Sequence, residues 1–139
     1  MKNLNKLVVY SVCVASMVSS AFASAPKGWE TDLDAALEIA KKEKKAIMLE
    51  FTGSDWCPPC IMMGKKVFSK EEFYKEASKK YVLVHLDFPK ADEELKKKNQ
   101  PHLEKYKVEG FPTVVLLDSE GKEFGRFIAS KYPEIKPFL

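Results

Sequence analysis

The chain has 139 residues, enough for one domain with one hydrophobic core and too few for two ordinary ones. At 45% apolar and 31% charged it reads as globular. Its net charge of +3 falls to +1 when residues 1–23 are set aside (21 Lys and Arg against 20 acids), so nothing points to nucleic acid or a membrane surface as a partner.

Residues 1–23 read as a secretory signal peptide. Lys2 and Lys6 give the positive end, Leu7 to Val18 the apolar stretch, and Ala21-Phe22-Ala23 a small-x-small cleavage site. Cleavage there leaves Ser24 first and residues 24–139 as one domain. The alternative is an uncleaved membrane anchor. The stretch falls short of the roughly 20 residues that span a bilayer, and serines interrupt it. Cys13 follows Val12, where a lipoprotein needs a small residue, so it leaves with the leader.

Ser24 to Trp29 is a short polar entry. Thr31-x-x-Asp34 can cap a helix carrying Leu33, Ala36, Leu37 and Ala40 at helical spacing, ending near Lys44. Ala46 to Phe51 reads as a buried parallel strand, apolar on both faces except at Glu50. A loop with Gly53 leads to a helix that starts at the cysteines and runs to about Lys66. Ser69-x-x-Glu72 is a second capping box, with Phe73 and Ala77 as the buried side. Tyr81 to Leu86 is a strand. Residues 89–98 are charged, helical or loose, and Lys96-Lys97-Lys98 beside Glu93 and Glu94 is a solvated face. Asn99 or Gln100 caps a short helix with Pro101 early in it. Val114 to Leu117 and Phe124 to Ile128 are strands joined by the turn at Asp118-Ser119-Glu120-Gly121. Pro133 to Leu139 begins a last helix of barely two turns. The fold class is α/β, a mixed sheet with helices on both faces.

The chemistry centres on Trp56-Cys57-Pro58-Pro59-Cys60. Two cysteines with two residues between them can close into a disulfide and reopen. A structural staple is disfavoured, because a disulfide stabilises chiefly by closing a long loop and this one closes almost none. Zinc would need two more ligands, and the only histidines, His85 and His102, lack the spacing of a ligand pair. Both read as ordinary surface or core residues. Cys57 is the expected nucleophile. It lies where a strand meets a helix, and the unpaired N–H groups and positive end of that helix favour thiolate over thiol. Pro58 suits the first helical turn and Pro59 stiffens the loop. Cys60 lies on the same side of that turn, placed to resolve a mixed disulfide on Cys57. Trp56 either shields Cys57 and offers a contact surface or simply packs.

Trp-Cys-x-x-Cys after an apolar strand, with Gly110-Phe111-Pro112-Thr113 downstream, resembles the thioredoxin family. Phe51-Thr52-Gly53-Ser54-Asp55-Trp56-Cys57 is similar to exported bacterial thioredoxin-like proteins, and Asp87-Phe88-Pro89 and Tyr106 to Pro112 extend the likeness over roughly residues 28–130. The Pro-Pro dipeptide resembles tryparedoxins and membrane-tethered periplasmic reductases. The resemblance implies a thioredoxin fold, with a cis Pro112 beside the sulfurs and the Phe111 backbone free to pair with an extended substrate. An ordinary trans turn proline is the alternative. It also implies that Glu50 is a buried acid assisting Cys60, although Glu50 lies seven residues before Cys57, one more than is typical. The lysine partner of that acid would fall near Leu83 and is missing. The other reading of Glu50 is an edge residue facing solvent.

These residues together imply an exported thiol–disulfide oxidoreductase, periplasmic or secreted, most simply a reductase. Cys57, Cys60 and Glu50 are the candidate catalytic residues. Trp56, Phe111 and Pro112 are the candidate substrate contacts, and Pro58 and Pro59 tune the redox pair. No cofactor and no metal is expected. The implied partners are disulfide-containing protein substrates and a separate electron-donor or acceptor protein, with no nucleic acid, a membrane only if the leader is retained, and a monomer. A disulfide-forming oxidant and a redox-inert binding module stay open as alternatives, since direction depends on potential rather than motif.

Overall fold

The computed structural model describes residues 24–136. The expected signal peptide with Cys13 and its cleavage site, and residues 137–139, lie outside the described residues. Helix α1 spans Leu33–Glu43 and buries Leu33, Ala36 and Ala40. Its N-cap is Asp32, whose carboxylate accepts from the Ala35 N–H, rather than the expected Thr31. Lys44 ends it in the left-handed region, φ 53°. Strand β1 (Ala46–Thr52) follows, then α2 (Pro58–Met63), a π-helical turn (Gly64–Phe68) and α3 (Glu71–Ala77). Lys70 is the N-cap of α3 and no side chain caps it, so the expected Ser69–Glu72 box does not form.

Strand β2 (Tyr81–Asp87) leads to α4, one helix over Glu93–Lys105. The expected short helix capped at Asn99 or Gln100 is instead the second half of α4. Asp92 caps it by accepting from the Leu95 N–H, and Pro101 lies inside it. Asn99 is buried and donates to the Asp87 carbonyl at 2.8 Å, tying α4 to the end of β2. Strands β3 (Thr113–Leu117) and β4 (Glu123–Ile128) form a hairpin. Its turn is fixed by the Asp118 carboxylate, which accepts from the N–H groups of Glu120 and Lys122, and by Gly121 at φ 82°. The expected final helix from Pro133 is not seen in the described part. The chain makes a 3₁₀ turn at Ala129–Lys131 and then bends, with Ile135 packed against the core.

The sheet order is β2-β1-β3-β4. β1 and β2 are parallel, while β3 runs antiparallel to both β1 and β4. A central strand covered on both faces must be apolar on both, which is why β1 reads as a nearly continuous hydrophobic run. Ile47, Leu49 and Phe51 join Leu33, Ala36, Val84, Leu86 and Val115 on one face. On the other, Met48 joins Met63, Val67, Phe68, Phe73, Leu83 and Val114, the side that α2 and α3 cover. Trp29, expected in a polar entry, is instead buried in this second core. Its ring lies 5.3 Å from that of Phe68 and 6.0 Å from that of Phe73.

Candidate active site

Cys57 ends the loop that follows β1 and is the N-cap residue of α2. The Gly53 carbonyl accepts from its N–H at 3.0 Å. Cys57 and Cys60 are joined in a disulfide with an S–S distance of 2.17 Å, and both are buried. Pro58 and Pro59 occupy the first two helical positions. Neither has an N–H, so of the donors expected to favour a Cys57 thiolate, only that of Cys60 remains in the first turn.

The loop over Gly53–Trp56 is laced to the loop after β2. Ser54 donates to the Asp87 carboxylate from both its N–H and its hydroxyl. The Asp55 carboxylate accepts from the N–H groups of Lys90 and Ala91, each at 2.9 Å. The Lys90 bond is the main reason the Asp55 pKa lies below its usual value, although burial works against it. Trp56 Nε1 donates to the Phe88 carbonyl at 2.8 Å, and the Lys90 ammonium sits 5.5 Å from the indole centroid. The extra residue between Glu50 and Cys57 is thus part of an ordered loop. Ser54, Asp55 and Asp87 are positioning residues that the sequence reading missed. Aspartate and serine in a glycine-bearing loop commonly bond backbone, which was a legible signal, but their partners lie more than thirty residues away.

Gly53 is fixed by close approach. A Cβ there would lie 2.5 Å from the Trp56 indole. Gly53→Ala is expected to displace Trp56, break its bond to Phe88, and cost about 1–3 kcal/mol of stability, the usual range for overpacking. Urea denaturation measures this, and an unchanged midpoint would contradict it.

Trp56 and Phe111 flank Cys57, with ring centroids 5.9 Å apart, and Trp56 is 38% exposed. With Leu103, Val108, Glu109 and Gly110 they line a cavity of about 360 Å³. The Phe111–Pro112 peptide bond is cis. Beyond it, the Pro112 carbonyl accepts from Ala129 N–H and the Thr113 hydroxyl donates to the Gly110 carbonyl.

Glu50 is only 1% exposed and lies on the central strand, so it is not an edge residue facing solvent. It points to the sheet face covered by α2, between Thr52 and Met48 on the same side. Its expected partner position near Leu83 is not the one the strands create. Leu83 pairs with Met48, and His85 pairs with Glu50. Glu50 Oε2 and His85 Nδ1 are 2.7 Å apart. Burial pushes the His85 pKa down, but the Glu50 charge and hydrogen bond, with Asp87 behind them, outweigh it and raise the imidazole above its ordinary value. A group that holds its proton more tightly when folded stabilises most below its unfolded pKa of about 6.5. That contribution is lost as pH rises through the raised folded value. Denaturation of the disulfide form is therefore expected to show stability falling from about pH 6.5 upward. A flat or rising profile there would contradict the pairing. His102 lies on α4, away from this pair and half-buried. Among the described residues, no group of three or more His, Cys, Asp or Glu could hold a metal ion, and no helix is long and apolar enough to cross a membrane.

The chain matches the thioredoxin-like family over residues 28–119. It is 42% identical over 107 residues to the disulfide bond reductase DsbH of Chlamydia pneumoniae, an alignment covering 75% of this chain and 64% of that protein. It is 31% identical over 101 residues to the thioredoxin-related protein DsbJ of the same organism, covering 70% of this chain and 29% of that one. The chain therefore spans less than two thirds of the length of either relative. A solved structure of a DsbH oxidoreductase superposes with a TM-score of 0.66 at 36% identity, covering 92% of this chain and 82% of that one. A mixed four-stranded sheet flanked by helices, with a Cys-x-x-Cys pair where β1 gives way to α2, agrees with that match, and the chain belongs to the thioredoxin-like family.

Proposed function

We propose that this chain is a thiol–disulfide oxidoreductase that reduces protein disulfides through Cys57 and Cys60. The observation that carries the reading is the Cys57–Cys60 disulfide at the start of α2, beside the cavity formed with Trp56 and Phe111. The reducing direction is supported by the similarity to DsbH, a disulfide bond reductase.

In the reduced protein, the Cys57 thiolate attacks one sulfur of a substrate disulfide. A Cys57–substrate disulfide forms, and the other substrate sulfur leaves as a thiolate that takes a proton from solvent. Cys60 passes its proton to Glu50 and attacks the Cys57 sulfur. The bond to substrate breaks, and the second substrate thiolate leaves and is protonated. The substrate gains two electrons and two protons, and the Cys57–Cys60 disulfide remains. A separate dithiol protein returns the two electrons. Trp56 and Phe111 supply the apolar surface for the substrate, whose extended backbone pairs beside Pro112. Pro58 and Pro59 tune the pair by removing helix N–H donors from Cys57. Residues 24–139 form the working domain, and the composition of residues 1–23 supports export to the periplasm or the exterior.

Insulin reduction coupled to a dithiol donor tests the activity, and equilibration with glutathione gives the potential. Turnover with a potential well below that of glutathione is expected. Turnover with a strongly oxidising potential would make the protein a disulfide-forming oxidant, and no turnover would leave a binding module.

A further inference from the structure

The buried pair under α2 holds more than an acid. His85 is 9% exposed, and Nε2 has no hydrogen-bond partner among the described residues. Its ring meets the edge of Trp29, with centroids 6.3 Å apart, and its backbone N–H donates to the Glu30 carbonyl at 2.8 Å. The charged groups acting on the ring are Glu50 from β1, at hydrogen-bond distance, and Asp87, two residues along β2. Among the described residues, the polar contact of the imidazole therefore runs through Nδ1 to the Glu50 carboxylate.

We propose that His85 is a positioning residue that sets the pH range over which Glu50 can take the proton of Cys60. This rests on the oxidoreductase reading and deepens it. The geometry places Glu50 on the face that α2 covers, where Met63, one helical turn beyond Cys60, packs with Met48. An imidazolium at Nδ1 holds the carboxylate as an anion and makes it a poor proton acceptor. A neutral imidazole in the same place removes that competing charge, and the 2.7 Å contact makes the difference large. No proton leaves the pair for the substrate. Cys60 still gives its proton to Glu50, and the sulfur exchange balances as before. Protonation of His85 slows resolution, and its loss releases it.

Single-turnover resolution of a mixed disulfide on Cys57, followed from about pH 5.5 to 9, tests this against the ordinary imidazole value of about 6.5. The wild-type rate is expected to show a rising limb centred above that value. His85→Gln, a neutral donor, should move that limb, because no imidazole titrates beside the carboxylate. His85→Lys, a permanent cation, should stay at least about tenfold slow at the top of the range. A His85→Gln profile that keeps the wild-type limb, or a His85→Lys variant that reaches the wild-type plateau, would overturn the proposal. First attack by Cys57 is read in the same traces. Its absence with every disulfide sinks the oxidoreductase reading, whereas attack with an unchanged limb sinks only the role of His85. If the variants do not fold, NMR titration of the wild-type imidazoles decides, because the chain has only two histidines. His85 should remain imidazolium above pH 6.5 and become neutral earlier in Glu50→Gln. A ring neutral throughout, or unmoved by Glu50→Gln, would overturn the proposal.

Discussion

Cys57→Ser is expected to reduce disulfide reduction to the uncatalysed level, while Cys60→Ser is expected to leave Cys57 covalently joined to its substrate. The two sulfurs are bonded in the structure, so either could in principle be the nucleophile. Position separates them. Cys57 is the N-cap residue, next to the exposed Trp56 and the cavity with Phe111, and Cys60 lies one turn inside α2. A hydroxyl at 57 cannot act as a thiolate at neutral pH. A hydroxyl at 60 leaves the first step intact and removes the second. Mass spectrometry of Cys60→Ser incubated with a disulfide peptide should find the adduct accumulating. Turnover of Cys60→Ser at the wild-type rate would show the assigned roles to be wrong.

Glu50→Gln is expected to slow resolution of the mixed disulfide by about 10²–10⁴-fold, the usual contribution of a positioned proton acceptor. Initial attack by Cys57 should change far less, because Glu50 lies under the helix rather than at the exposed mouth. The amide is nearly the same size and can still bond His85 Nδ1, so packing is preserved. Stopped-flow traces resolve the two steps. Equal slowing of both would point to a general structural defect, and no slowing of either would remove Glu50 from the mechanism.

The sequence was strongest where structure follows from local rules. Cys-x-x-Cys at a strand-to-helix junction, the prolines in the first helical turn and the apolar runs of β1 and β3 are patterns within a few residues, and each sits where periodicity and turn chemistry put it. Helix boundaries were weaker. Thr31 lost to Asp32, a neighbouring polar residue that makes the same cap, while α3 starts one residue past Ser69, at Lys70, with no side-chain cap. Pro101 looked like a helix start because proline prefers a first turn, but α4 continues through it while Asn99 ties the helix to β2.

What the chain determined alone is therefore the redox pair, the strand that presents it and the family to which both belong. Tertiary structure decided the surroundings of that pair. Trp29 became core because Phe68 and Phe73 lie against it, and Ser54 and Asp55 became anchors because the loop after β2 comes alongside. Glu50 gained a partner only when β2 docked in parallel on β1, which set His85 beside it across 35 residues of chain. Strand register is chosen by the packing of two whole hydrophobic faces, and a one-residue slip would turn every side chain over. No local pattern carries that choice, so the acid was legible in the sequence and the histidine that faces it was not.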